Sequence, residues 1–535
     1  MRYHPQMDPG PTQKLPSEAE MASYSPVQFI ALVQTLAASV EALQAQLEWF
    51  QRQTFGTKSE RLRLLENAQQ LALGEVLAPP SVTVPAKERL VAAHTRREAQ
   101  KDTAVGEADS VPFFDEARVP VETIELPDPQ TEGLSPDDYE VISQKVSYRL
   151  AQRPGSYVIL KYLRSVLKRR DTQTMSCAPA PVGVIEGSRA DVSFVAGLLV
   201  DKFAYHLPLY RQHQRLQDSG IQVSRPWLTQ LSQQSIALLE PIYDAQFDSI
   251  RSDRVKAMDE TPIKAGRKEH GKMKVGYFWP VYGGHDEVSF PFFPSREAQN
   301  VHKILGAEHA PGSVILTDGY AAYASYAKKV GIAHALCWSH SRREFVEAQS
   351  TAPQGVLAAL RHISMLYAVE DDIRRLGLTG EAKKLHRLTH SKLHVAVFFA
   401  WVDRHLEEHG LRPTTPFTKA LNYVRERRLG LEVFLTDPDV PLDTNHLERA
   451  LRAIPMGRKN WNFCWTELGA KQVGIVQSLI VTCRLHGIDV YTYLVDVLQR
   501  VGLHPASRVA ELTPRQWKLH FAVQPLRSAL HRLMA

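Results

Sequence analysis

Four cysteines in 535 residues, Cys177, Cys337, Cys464 and Cys483, are too few and too widely spaced for a disulfide framework or a paired CxxC metal ribbon. A reducing compartment follows. Long apolar runs are missing as well, since the longest, residues 395–402, falls far short of the roughly 18 residues that a membrane span requires. The opening MRYHPQMDPGPTQK has no charged region leading into an apolar stretch, so no secretory signal is expected. Neither sign of charge dominates: 64 Lys and Arg against 58 Asp and Glu leave +6, which permits a nucleic-acid partner without demanding one. A cytoplasmic protein without a membrane partner is the expectation. What is present, 44% hydrophobic residues with 8% aromatic over this length, suffices for several cores, and the size prior gives three or more domains.

Residues 1–25, rich in proline and polar groups, are expected to be disordered. Over 26–75, Phe29, Val33, Leu36, Val40, Leu43, Leu47 and Phe50 alternate steps of four and three, the spacing of a coiled-coil seam. Leu36, Val40, Leu43 and Leu47 would then pair chains into a homodimer or higher oligomer, although a helix folded onto its own chain gives the same pattern. A basic edge, Lys58, Arg61 and Arg63, follows. Residues 76–135, with APPSVTVPAKER and IELPDP, read as a linker. Alternating stretches over 136–185 read as strands ending in Lys168, Arg169 and Arg170.

Residues 186–250 read as three helices, around 192–203, over 208–217, and from Ser224 as N-cap with Pro226 in the first turn. That is helix-turn-helix spacing. The third helix would bury Leu228, Leu231 and Leu238 and present Arg225, Thr229, Gln230 and Gln233, side chains able to reach bases or phosphates. Generic three-helix packing explains the same pattern.

The stretch RVKAMDETPIK, residues 254–264, reads as one strand in which Asp259 shares a face with Val255, Ala257, Thr261 and Ile263. An acid there needs a reason. GSVILTDGY ends a second apolar strand with Asp318, and LDTNHLERALR puts Glu448 on a helix, its polar face shared with Asn445 and Arg452. Singly, each acid has a plain structural reading as a turn former or a helix-surface partner. Together, three converging carboxylates repel unless a divalent cation neutralises them, and two such cations about 3.5–4 Å apart suit an in-line phosphoryl transfer. Between the second and third acids 448 − 318 = 130 residues leave room for an inserted domain, and 350–440 is helical in pattern, with Arg425, Arg427 and Arg428 on one helix, to clamp DNA or brace the core. The parts are then 251–349 and 441–485 for the core, 350–440 for an all-α insertion, and 486–535 for a C-terminal helical region.

Basic residues flank these acids. Arg342 and Arg343 follow His340, and Gly457, Arg458, Lys459, Asn460 and Trp461 combine a flexible joint, two cations, an amide and an aromatic ring, which suits phosphate contact and base stacking. Cys337 and His340 have ligand spacing but no second pair, so packing and orientation are the expected roles.

The runs MDETPI, TDGYAAY, CWSHSRREF, DTNHLERALR and GRKNW resemble, in the same order, the core motifs of the insertion-sequence-66 family of DDE transposases, and HLPLYRQ and FGTKSER extend the resemblance over most of residues 45–500. The resemblance implies that Asp259, Asp318 and Glu448 form the DDE triad on an RNase H-like core and bind magnesium or manganese. It implies a zipper-like helix near the N-terminus, a zinc-binding module over 136–185 that is degenerate here because only Cys177 remains, and accessory proteins encoded by the same element. The expected fold is a multidomain α/β chain whose RNase H-like core carries an all-α insertion, preceded by a coiled coil and a helix-turn-helix. The expected activity is cleavage of double-stranded DNA at transposon ends and strand transfer into target DNA, in the bacterial cytoplasm at the nucleoid. Two rivals are a sequence-specific DNA-binding protein with unused acids and a metal-free acid/base hydrolase.

Overall fold

The computed structural model describes residues 113–532 apart from 154, 270–271, 408–411 and 462–463. The coiled coil expected over 26–75, with Leu36, Val40, Leu43 and Leu47, lies outside the described residues, as do 1–25. Where a linker was expected, strand β1 (Val121–Leu126) pairs in parallel with Ile159–Arg164. Its alternation VETIEL is bracketed by Pro120 and Pro127, which end the strand without breaking it. Strands β2 (Tyr139–Arg153) and β3 (Ser156–Arg169) form a long hairpin that turns at Gly155, φ +84°, and β4 (Met175–Cys177) is added at its edge. This module is held by a core of its own and by the C-terminal part of the chain: Leu150, Val158, Ile159 and Leu160 are buried, and the Tyr491 hydroxyl donates to the Gln152 carbonyl at 3.1 Å.

Three helices follow as expected, α1 (Val192–Leu199), α2 (Leu209–Asp218) and α3 (Arg225–Ser252). The Ser224 side chain caps α3 by accepting from the Trp227 N–H, and Pro226 occupies its first turn, where a missing donor costs nothing. Leu228 and Leu231 are buried, but Leu239 takes the deep position expected for Leu238.

The central sheet has the order β9-β8-β5-β11-β12, built from β5 (Val255–Met258), β8 (Val281–Tyr282), β9 (Val288–Ser289), β11 (Val314–Thr317) and β12 (Ala333–Leu336). The first three are antiparallel neighbours; β11 and β12 run parallel to β5. A second sheet, β10-β7-β6, uses β6 (Thr261–Glu269), β7 (Lys272–Phe278) and β10 (Phe292–Phe293). Residues 254–264 are therefore not one strand. The chain leaves the central sheet at Asp259, whose carboxylate accepts the Glu260 N–H at 2.7 Å and so takes that donor from the ladder. Pro280 separates β7 from β8 and Pro291 separates β9 from β10.

Helices α4 (Gln299–Leu305) and α5 (Ala321–Val330) cover one face of the sheet, burying Val301, Ile304, Tyr323 and Tyr326 against Met258, Trp279 and Ile315. Helix α3 and α14 (Glu467–Leu485) cover the other, where the Gln246 amide donates to the Val288 carbonyl at 2.8 Å and to Thr482 Oγ1 at 3.1 Å.

After α6 (Trp338–Glu347) the insertion is all-α among the described residues: α7 (Pro353–Arg375), α8 (Gly380–His386), α9 (Lys392–Glu407), α10 (Pro416–Glu426) and α11 (Arg428–Thr436). Its aromatic core, Phe398, Phe399, Phe417 and Phe434, packs on Trp338 and Phe345 of α6. The chain returns through α12 (Asn445–Leu451) and α13 (Ala453–Trp461) to α14, then α15 (Val490–Arg500). Among the described residues no helix is long and apolar enough to cross a membrane.

Candidate active site

In an open sheet with parallel strands, ligands bind beyond the carboxyl ends of those strands. Asp259 and Asp318 both stand there. The register Val314↔Val255, Ile315↔Lys256, Leu316↔Ala257 has an offset of 59, and 318 − 59 = 259, so continuing it two residues sets the two acids side by side. The Tyr320 N–H, at the cap of α5, donates to Asp318 Oδ1 at 2.9 Å and fixes that side chain.

Glu448 reaches the same rim through α12. The loop before α12 is tied to the end of β12, because the buried Cys337 sulfur accepts from the Thr444 N–H at 3.3 Å and from Thr444 Oγ1 at 3.2 Å, and the Trp338 N–H donates to the Leu442 carbonyl. Burial pushes the Cys337 thiol up to about 12, so it stays neutral and orients the helix. This is the packing role read for it from the sequence. Leu447, Leu451 and Ile454 anchor the inner face, while Glu448 Oε1 lies 3.7 Å from an Arg343 nitrogen and 3.9 Å from His340 Nε2.

The three acids lie within reach of one another's charge. Burial pushes the Asp259 carboxyl up to about 7; its hydrogen bond from Glu260 opposes this, and the negative charges of Glu260, Asp318 and Glu448 add to it. Yet among the described residues no three His, Cys, Asp or Glu side chains are gathered at the distances of a metal cage. The donor set nonetheless fits a hard divalent cation: half-buried carboxylate oxygens whose mutual repulsion adds to the burial that raises the Asp259 pKa are stabilised by such a charge.

The expected DNA-contacting residues fall into two groups. Arg225, Thr229, Gln230 and Gln233 are exposed on the first turns of α3, about 30–40 Å along that helix from its junction with β5, so the structure does not bring them to the acids. Arg343 lies 3.7 Å from Glu448 and the Arg458 guanidinium donates to the Pro262 carbonyl, whereas the side chains of Arg342 on α6, Arg452 at the end of α12, and Lys459 and Asn460 on α13 make no bond with the acids among the described residues. Two expectations need correction. Gly457 is buried inside α13 and is no joint, and the Trp461 ring lies back on it, where a Cβ would come within 2.7 Å of Trp461 Nε1. Arg425, Arg427 and Arg428 do not share a helix: Arg427 sits between α10 and α11, stacks on Tyr423 at 3.9 Å and reaches the Gly319 carbonyl at 3.5 Å, bracing the turn that carries Asp318.

Sequence reasoning missed Glu260. Its carboxylate is buried beside Asp259, accepts from Arg296 Nε at 2.8 Å and from the Tyr323 hydroxyl, and was visible only as a second acid in MDET.

The chain matches a family model described as Transposase IS66 family over residues 187–472, one described as IS66 C-terminal element over 478–515, and one described as Transposase C of IS166 homeodomain over 42–107. Three relatives come from Sinorhizobium fredii. The uncharacterized protein y4hP is 27% identical over 516 residues, 90% of this chain and 89% of that one. The uncharacterized protein y4jD is 30% identical over 64% of this chain and 69% of its own, and y4qI 28% identical over 88% of each.

Proposed function

The chain belongs to the IS66 family of transposases, and from that premise we propose that it cuts double-stranded DNA at the ends of an insertion element and joins the freed ends to target DNA. The observation that carries this reading is the placement of Asp259 and Asp318 at neighbouring strand ends with Glu448 charging the same space. The sheet order, three antiparallel strands followed by two strands parallel to the first, supports an RNase H-like core. A protein that works on bacterial DNA would act in the cytoplasm.

Asp259, Asp318 and Glu448 would hold magnesium or manganese. Bound there, the cation supplies Lewis acidity to the scissile phosphodiester and offsets the charge that develops on it. In cleavage, a water oxygen bonds to phosphorus, the bond to the 3′-oxygen breaks, and that oxygen leaves with a proton as a 3′-hydroxyl. In strand transfer the 3′-hydroxyl oxygen loses its proton and bonds to a target phosphorus, and the bond to another 3′-oxygen breaks, that oxygen leaving with a proton as a new 3′-hydroxyl. The chain's own part is positional and electrostatic: the Tyr320 and Glu260 N–H groups hold the two aspartates, and Arg343 and His340 flank Glu448.

The test is nicking of a labelled duplex carrying the element's terminal sequence, with Asp259→Asn, Asp318→Asn and Glu448→Gln variants. Each should bind the duplex and fail to nick it in magnesium or manganese. Undiminished nicking by any of the three would remove that residue from the site, and nicking by all three would end the reading.

A further inference from the structure

The chain leaves the acid site twice, and both exits run into one basic platform. From Asp259 it enters the β6–β7 hairpin at Thr261; from Glu448 it passes through α12 into α13 at Ala453. The two paths are then locked together. The Arg458 guanidinium donates to the Pro262 carbonyl, the Cys464 N–H donates to the Lys264 carbonyl at 2.9 Å, and the Gly266 N–H donates to the Cys464 carbonyl at 3.1 Å. Main-chain pairing of this kind makes the hairpin and the segment after α13 a rigid unit.

Its outer face is cationic. Lys264, Arg267, Lys268 and Lys459 are exposed, with Arg458 half-buried beside them. The acids on this unit pair with the β7 lysines, not with these cations: Glu269 with Lys272 at 3.2 Å and Glu467 with Lys274 at 3.1 Å. Trp465 adds an aromatic surface, 61% exposed, with the Arg267 guanidinium 4.9 Å above its ring. Three exposed cations on one irregular strand, with an exposed ring stacked on one of them, offer the charge that phosphates require and an apolar surface for sugars.

Resting on the transposase reading, we propose that this platform of Lys264, Arg267, Lys268 and Trp465, continued by Arg458 and Lys459, grips the duplex DNA adjoining the scissile phosphodiester. It would fix the direction in which DNA leaves the acids, a task the helix-turn-helix cannot perform from the far end of α3.

The experiment uses the full chain and a fluorescein-labelled duplex carrying the element's terminal sequence, titrated at several salt concentrations. The variant Lys264→Ala/Arg267→Ala/Lys268→Ala should lose about tenfold or more in affinity, and the slope of log K against log salt should fall by about 3, close to 0.9 per lost phosphate contact. Trp465→Ala should weaken binding with the slope unchanged. Because these side chains are exposed, melting temperatures should match the parent. An unchanged slope in a triple variant of a parent that nicks DNA overturns the platform and leaves the transposase reading standing. A parent that neither binds nor nicks DNA overturns both. A variant with altered oligomeric mass and an unaltered slope assigns the surface to a second copy of the chain, which also overturns the proposal.

Discussion

Arg296 grips Glu260, with Nε 2.8 Å from Oε1, one residue beyond Asp259. The Glu260 side chain is only 4% exposed, and the Tyr323 hydroxyl donates to its second oxygen. Arg296 also lies 4.3 Å over the Tyr320 ring, and the Tyr320 N–H holds Asp318. A continuous chain of contacts thus joins the neighbour of one aspartate to the other. Glu260 is a positioning residue, and Glu260→Gln, which keeps shape and removes charge, should slow nicking by about 10- to 100-fold, as expected when a reacting geometry shifts by about 1 Å. DNA affinity should stay near the parent value. Parent-like nicking rates across the magnesium titration would show that the network only supports the fold.

The fully buried guanidinium of Arg387 makes a two-point contact with Glu370, 2.7 and 2.8 Å, and donates to the carbonyls of Phe434, Asp437 and Val440. It ties α7 to the end of α11. Removing one partner of such a buried pair strands the other charge, so Arg387→Ala should cost about 3–5 kcal/mol. Calorimetry would read this as a large drop in melting temperature; a change under about 1 kcal/mol would mean that water replaces the guanidinium freely.

What could be read from the sequence was local chemistry. Ser224 and Pro226 announce the start of α3 because the cap and the first turn lie within three residues, and VILTD announces Asp318 because the apolar run and the acid are adjacent. What stayed hidden depends on distant partners. The strand at Val121 needs Ile159, and 159 − 121 = 38 residues separate them, so VETIEL between prolines looked like a linker. Asp259 pairs through its N–H with the Pro280 carbonyl and Thr261 pairs with Phe278, 280 − 259 = 21 and 278 − 261 = 17 residues on. Glu260 is buried by Arg296 and Tyr323, 36 and 63 residues on, and no spacing rule announces such a site.

Half-buried histidines oppose folding in acid. Burial lowers the His334 pKa from its ordinary value to about 4, with the Asp318 charge opposing and Arg427 assisting; its Nε2 lies 2.9 Å from Thr317 Oγ1. His206, His309, His362 and His531 shift the same way, each mainly through burial. A folded pKa below the unfolded value means that the unfolded chain binds more protons, so the His334 contribution is complete above about pH 6.5 and is lost as pH falls toward 4. That contribution is on the order of 2–3 kcal/mol. Denaturation midpoints measured from pH 7 to pH 4 should fall, and His334→Gln should flatten the fall; a parallel curve for that variant would contradict the assignment.

Helix α14 approaches the sheet through one hydrogen side chain. A Cβ on Gly474 would sit 2.2 Å from the Phe290 carbonyl oxygen, a backbone atom that cannot rotate aside. One and two turns on, Ser478 Oγ accepts the Phe290 N–H at 2.9 Å and Thr482 Oγ1 accepts the Val288 N–H at 3.2 Å, so residues 474, 478 and 482 form the seam between helix and strand. Replacing a mid-helix glycine by alanine ordinarily stabilises by about 0.5–1 kcal/mol. Here overpacking should outweigh that gain, because separating the seam stretches both hydrogen bonds and strains a well-packed interior at about 1–3 kcal/mol. Gly474→Ala should therefore lower the melting temperature, while Gly502→Ala, where a Cβ meets nothing within 4 Å, should leave it close to the parent value. A higher melting temperature for Gly474→Ala would mean that α14 stands farther from β9 than the contact requires. Since β9 and β8 hold β5 from the side opposite Asp318, nicking should fall in the same variant.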